Sequence, residues 1–291
     1  MARSLWILLF CSSLFAQQPR FFVQMADPQL GMFAKDADTL QEEANLSFVV
    51  ANINRLHPAF VVVCGDLVNK TADPGQISSY ERLIKGIDRG IPIYNVAGNH
   101  DVGNHPTPAS LAQYRKNIGK DYYSFDSGDT RGIVLDSSLI FAPQDAAEEA
   151  AAQEKWLLDQ LRRARRDKVG HLFVFQHISY FLQSPDEPDQ YFNIPHSARA
   201  RYLQWFHEYG VTHIFAGHYH RNAYGRDGDI EMITTGPVGN PLGRDQSGIR
   251  IVQLSADRSV KNRYYELGSI PNRIDPAGTL PEFPVTHKTG Q

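Results

Sequence analysis

The sequence predicts an α/β fold laid out as one domain. From residue 21 onward, short apolar runs rich in β-branched and aromatic residues alternate with longer helical stretches. One run, Ala59–Cys64 (AFVVVC), is apolar without alternation, as expected of a strand buried on both faces. No repeat, low-complexity block or linker divides the chain. In order, the pattern gives a strand at Phe21–Ala26, a helix at Glu42–Leu56, the strand Ala59–Cys64, a helix at Ile77–Asp88 and a strand at Pro92–Val96. Tyr122–Phe125 and Gly132–Leu135 read as an adjacent strand pair. The amphipathic helix Ala146–Arg166 ends in a basic last turn that suits the helix dipole. The strand His171–Gln176, the helix Ser197–Tyr209 and the strand Thr212–Ala216 follow. Four short strands close the pattern: Asn222–Gly225, Glu231–Thr235, Ile249–Leu254 and Lys261–Glu266. The first two are joined by a hairpin signal at Arg226-Asp227-Gly228-Asp229.

With 291 residues, 42% hydrophobic and 21% charged, the chain can bury a sizeable core, and collagen-like, coiled-coil and disordered classes are excluded. The formal charge of −3 holds no basic excess that would point to nucleic acid. At the N-terminus, Arg3 precedes the apolar stretch Leu5–Phe15, too short to span a bilayer and suited to the core of a signal peptide. The expectation is a signal at 1–16, a domain at 17–268, a loosely ordered Pro- and Gly-rich tail at 269–291, and an exported protein. Removal of the signal leaves Cys64 as the single cysteine, so no internal disulfide forms. No later segment is long and apolar enough to span a membrane.

The residues that carry chemistry all stand just after strands. Asp27 and Gln29 follow the first, and Gly65-Asp66 the second. Gly98-Asn99-His100-Asp101 follows Pro92–Val96, His177 follows Gln176, and Gly217-His218-Tyr219-His220 follows Ala216. Sites in open α/β sheets form at the carboxyl ends of strands, so these loops converge. Carboxylates, amide oxygens and imidazoles without a thiolate suit Mn²⁺, Fe or Zn²⁺. Seven candidate donors (Asp27, Gln29, Asp66, Asn99, His177, His218, His220) exceed what one transition metal takes and suit two divalent ions with a bridging carboxylate. Such a pair can activate water and clamp the oxygens of a phosphoryl group in in-line displacement.

This ordered set, with Asn69 downstream of Gly65-Asp66, resembles the calcineurin-like metallophosphoesterases over about residues 21–266. Ala-Asp-Pro-Gln (26–29), Phe-Gln-His-Ile (175–178), Tyr-Phe-Asn (191–193), Gly-His-Tyr-His-Arg-Asn-Ala (217–223) and Leu-Gly-Arg-Asp (242–245) further resemble the calcineurin-like phosphoesterase domain-containing branch, regarded as Ser/Thr protein phosphatases. The resemblance implies a four-layer αββα sandwich of two mixed sheets. It implies Asp27 and His220 on a first metal, Asp66 bridging, and Asn99, His177 and His218 on a second. His100 would protonate or stabilise the leaving oxygen and Asp101 would orient it by a hydrogen bond. Arg221 and Arg244, beside the metal loops or in a matching motif, are substrate-binding candidates.

One departure stands out: the family usually has His where this chain has Gln29. A neutral amide oxygen is a weaker donor than imidazole, so the first site is expected to lean toward Mn²⁺ or Mg²⁺ over Zn²⁺, with Mn²⁺ the favoured ion. The expected activity is hydrolysis of phosphomonoesters by in-line attack of a metal-bound hydroxide, with phosphoserine or phosphothreonine in protein as the expected substrate class. The alternatives are a phosphodiesterase on nucleotides or lipid head groups, or a metal-bound binding protein without turnover.

Overall fold

The structure, a computed structural model, describes residues 19–281. The expected signal segment and residues 282–291 lie outside the described residues.

Among the described residues, eleven strands form two mixed sheets. The first has five strands: β1 (Arg20–Met25), β2 (Val61–Cys64), β3 (Ile93–Val96), β10 (Gly248–Leu254) and β11 (Val260–Glu266), in the order β11-β10-β1-β2-β3. The three N-terminal strands run parallel, and the returning pair is antiparallel. The second has six: β4 (Tyr123–Ser127), β5 (Thr130–Val134), β6 (His171–Phe175), β7 (His213–Ala216), β8 (Ala223–Asp227) and β9 (Ile230–Thr234), in the order β4-β5-β6-β7-β9-β8. Its four central strands are parallel and both edge strands antiparallel.

The unbroken apolar runs are explained by burial on both faces. Along β1, Phe22 and Ala26 point between the sheets, whereas Val23 and Met25 point to the helices. Along β2, Val62 and Cys64 face inward, and Val61 and Val63 outward. The inter-sheet layer is largely aromatic. Phe22 stacks on Phe60 at 4.5 Å and meets Phe215 edge-on at 5.5 Å. The helices α1 (Leu40–Leu56) and α2 (Pro74–Ile84) cover the first sheet through Leu46, Val49, Ile53 and Tyr80. The helices α6 (Ala147–Asp167) and α7 (His196–Tyr209) cover the second through Leu157, Leu161, Leu203 and Phe206. This is the four-layer αββα sandwich the resemblance implied.

Most expected elements lie within a few residues of their places. The helix expected from Ile77 starts at Pro74, because the Asp73 carboxylate caps Gly75 N and Gln76 N and proline suits the first turn. Three short helices were not expected: α3 (Asn99–Val102), α4 (Pro108–Asn117) and α5 (Ser137–Phe141). The β8–β9 hairpin turns at Gly228 as expected. In the region expected as a loose tail, Gln253 donates to the carbonyls of Asp275, Pro276 and Gly278, and Leu280 is buried in the outer core. Cys64 is buried and free.

Candidate metal centre

All seven expected donors are buried where the loops at the carboxyl ends of β1, β2, β3, β6 and β7 meet. Asp66, His177 and His218 bring ligand atoms within 4.8 Å of one another, and so do Asp27, Asp66 and His220. The two groups share Asp66. Asn99 adds its amide oxygen 2.9 Å from His177 Nε2. Gln29 donates from Nε2 to Asn69 Oδ1 at 3.1 Å, while its Oε1 is buried without a hydrogen-bond partner.

Backbone strain concentrates at these donors. Asp27 (φ 50°), Gln29 (37°), Asp66 (50°), His218 (68°) and His220 (52°) all occupy the left-handed region that non-glycine residues rarely enter. Such strain persists where the surrounding structure imposes a geometry that function needs. The loops also approach too closely for side chains between them. A Cβ on Gly98 would run into the Asp66 nitrogen and carboxylate, and one on Gly217 into Asp27 Oδ2.

Each histidine has one ring nitrogen committed to a backbone carbonyl. His177 Nδ1 meets Cys64 O at 2.8 Å, His220 Nδ1 meets Asn240 O at 2.6 Å, and His218 Nε2 meets Tyr191 O at 3.0 Å. A ring that donates to a carbonyl has its tautomer fixed, and its other nitrogen is free to ligate. Accordingly, His177 Nε2 lies 3.2 Å from Asp66 Oδ2, and His220 Nε2 3.5 Å from Asp27 Oδ1.

The charges also call for cations. Burial lifts the Asp27 carboxyl to about 6, despite His220 and His177 beside it. Burial works the same way on Asp66, yet its contact with His177 holds it below the ordinary carboxylate range. Burial would lower His177, but Asp66 carries it to about 9. Burial and the neighbouring His177 push His218 down to about 3, so it is a neutral donor. Two buried carboxylates thus share one site, and a divalent pair would balance their charge. The donor set, the bare Gln29 oxygen and this charge deficit all fit metal binding.

His100 and Asp101 sit on α3. The His100 amide donates to Asp66 Oδ1 at 2.8 Å, and its Nδ1 meets Asn69 O at 2.5 Å. The ring is therefore oriented by the Asn69 carbonyl. Asp101, expected to orient His100, instead accepts from Leu67 N, Val68 N and Gly98 N at 3.0, 3.3 and 2.8 Å. Its carboxylate ties the β2 and β3 loops together, because at N3 of a short helix it faces its own N-terminal amides. Arg221 is stacked over Tyr219 at 5.0 Å and gives Nε and Nη2 to Leu242 O at 2.9 and 2.6 Å. Arg244 is exposed.

One site residue was named in a motif without a role. Tyr191 places its carbonyl on His218, its ring 4.8 Å from the His218 ring and its hydroxyl 3.2 Å from Asn99 Nδ2. It stands on the β6–α7 loop, which buried Arg199 pins by donating to the carbonyls of Ile194, Pro185 and Glu187.

The family model for calcineurin-like phosphoesterases matches residues 22–222. The chain belongs to this family. A Danio rerio relative named serine/threonine-protein phosphatase CPPED1 is 38% identical over 272 residues, covering 88% of this chain and 87% of its own. The Homo sapiens protein of the same name is 37% identical, covering 88% and 86%. Among solved structures, a purple acid phosphatase from yellow lupin shares the fold at TM-score 0.64 and 14% identity, over 87% of this chain and 52% of that one. A dimetal phosphatase from Danio rerio does so at TM-score 0.55 and 15% identity, over 80% and 95%. Family membership and the donor groups together make this protein a metal-dependent hydrolase of phosphate esters.

Proposed function

We propose that the protein removes phosphate from phosphoserine or phosphothreonine in proteins, using two divalent ions of which Mn²⁺ is the favoured kind. Two donor groups sharing Asp66 within 4.8 Å carry the reading. Relatives aligned over 88% of the chain and named for protein phosphatase activity support the substrate class. Asp27, Gln29 and His220 would hold one ion and Asn99, His177 and His218 the other, with Asp66 available to both. When bound, the ions supply positive charge to the phosphate oxygens and lower the pKa of an attacking water. The protein's own groups do the rest. The carbonyls of Cys64, Tyr191 and Asn240 fix the imidazoles. His100, anchored through Nδ1 by Asn69 O, presents Nε2 to the leaving oxygen and supplies its proton. Export through the segment Leu5–Phe15 completes the proposal.

The test is hydrolysis of p-nitrophenyl phosphate and bis(p-nitrophenyl) phosphate by metal-stripped protein, before and after Mn²⁺. Monoester turnover that appears with metal and is lost in His218→Ala supports the reading. A strong diester preference refutes the monoester assignment, and two bound metals without turnover refute catalysis.

A further inference from the structure

A pocket of about 670 Å³ opens beside the metal loops, within the size range of ligand sites. Its wall includes Tyr219, Arg221, Tyr224, Arg244, Glu187 and Asp245. Tyr219 stands between His218 and His220, and consecutive Cα atoms are about 3.8 Å apart, so the pocket begins one residue from the metal donors. Phe192 packs on Tyr219 with ring centres 5.1 Å apart, which joins the pocket wall to the Tyr191 loop over the site. Beyond Tyr219 the pocket runs along the start of β8, which among the described residues is an edge strand paired with β9. A larger hollow of about 840 Å³ lies between α5, α6 and α7, and no metal donor lines it.

The two carboxylates of the pocket are spoken for. Glu187 accepts from Leu182 N, Gln183 N, Ser184 N and Asn193 Nδ2 at 2.7, 2.9, 3.4 and 2.7 Å, and buried Arg199 lies behind it. Asp245 accepts from Asn222 N and Nδ2 at 2.6 and 3.1 Å. Behind Asn222, buried Arg250 donates to its Oδ1 at 2.7 Å and feels the Asp245 charge. Each carboxylate therefore acts through its charge on a buried guanidinium. Asp186 and Asp189 also face Arg199, from outside the pocket lining. Arg221 is held to Leu242 O and Tyr219. Arg244 is exposed and lines the same pocket as Tyr219 and Tyr224. The lining thus offers cations and aromatic surface while its own acids are engaged.

The geometry points to a substrate subsite: the pocket takes an acidic side chain of the phosphoprotein, its carboxylate meeting Arg244, while the phosphorylated residue lies at the metal centre. This rests on the protein-phosphatase reading above. An extended chain advances about 3.3–3.6 Å per residue, so the acidic residue is scanned over positions about two to four residues on either side of the phosphorylated one.

The experiment compares matched phosphoserine peptides that carry Glu, Gln or Lys at those positions. It measures kcat/KM for each peptide with the Mn²⁺-loaded protein, and Kd by calorimetry with the phosphoserine replaced by a non-hydrolysable phosphonate. A charge-assisted contact at a partly exposed rim gives a Glu-over-Gln ratio of roughly 3- to 20-fold. The ratio falls toward one in Arg244→Ala, and Arg244→Glu turns the preference to Lys. Turnover that ignores flanking charge, or a Glu preference intact in Arg244→Ala, overturns the subsite and leaves the phosphatase reading standing. Hydrolysis of p-nitrophenyl phosphate with no peptide bound or turned over overturns both.

Discussion

Replacing Gly98 with alanine tests whether the close approach of two loops sets the catalytic geometry. The added Cβ would collide with the nitrogen and Oδ1 of Asp66 and lie 2.9 Å from its Cα. Ordinary carbon contacts lie at about 3.5–4.0 Å, so the β2 and β3 loops must part by about 1 Å. Asp66 and Asn99 then move together, because Asp66 Oδ1 accepts from His100 N, the next residue, at 2.8 Å. A displacement of that size at a reacting centre costs on the order of 10²-fold in rate. The strain itself costs about 1–3 kcal/mol of stability. The assay is kcat/KM on p-nitrophenyl phosphate across a Mn²⁺ titration, with metal stoichiometry by mass spectrometry and thermal unfolding alongside. Gly268→Ala is the control, since a Cβ there meets nothing within 4 Å. A Gly98→Ala protein with wild-type metal content and turnover indistinguishable from the parent would refute the argument.

Four further outcomes are expected. His100→Ala keeps its metals and loses about 10²–10⁴-fold in turnover, the range for a lost general acid, and unchanged turnover removes His100 from the mechanism. Asp66→Asn depletes both metals because both donor groups include Asp66, and two fully occupied ions by mass spectrometry would disprove the sharing. Gln29→His trades an amide oxygen for a stronger nitrogen donor and shifts preference from Mn²⁺ toward Zn²⁺; an unchanged Mn²⁺-to-Zn²⁺ activity ratio counts against tuning by Gln29. Burial holds the His213 pKa down at about 4, with His171 and Arg226 adding; Glu231, 3.6 Å away, also serves Arg226 at 3.4 Å. A lowered folded-state pKa means stability is lost as pH falls below about 6.5, complete near 4, and the loss at pH 5 is about 2 kcal/mol. Urea denaturation of His213→Gln from pH 7 to 5 should show a shallower loss than wild type, and parallel curves would refute that account.

The sequence revealed the strands and the donors for one reason. Burial on both faces forces apolar runs such as Ala59–Cys64, and the polar residues that end those runs are the ones the chemistry needs. Short helices were hidden because α3 is four residues long and carries the Asn-His-Asp motif itself, which leaves no periodicity to read. Asp101 was expected to orient His100 because the family resemblance implied it. Only the fold shows that its carboxylate faces three backbone amides. Tyr191 was visible as part of a motif, but its place over His218 depends on a loop pinned by Arg199 from the following helix. The nearness of Glu187 and Asp245 to the charges of buried arginines is likewise a tertiary fact. Arginine is normally a surface residue, and nothing in the local sequence marks Arg199 or Arg250 as buried.

The carbonyl that fixes each imidazole comes from a distant part of the chain: Cys64 holds His177, Tyr191 holds His218, and Asn240 holds His220. Asp27 in turn receives the His218 amide across 191 residues. No fragment that ends before residue 240 therefore holds all three imidazoles in place. During synthesis the three imidazoles cannot all be fixed until residue 240 has emerged. Ions that bind only the finished form then act as a latch, adding stability that rises with the logarithm of their concentration. A chain that stalls halfway remains inert toward phosphate esters.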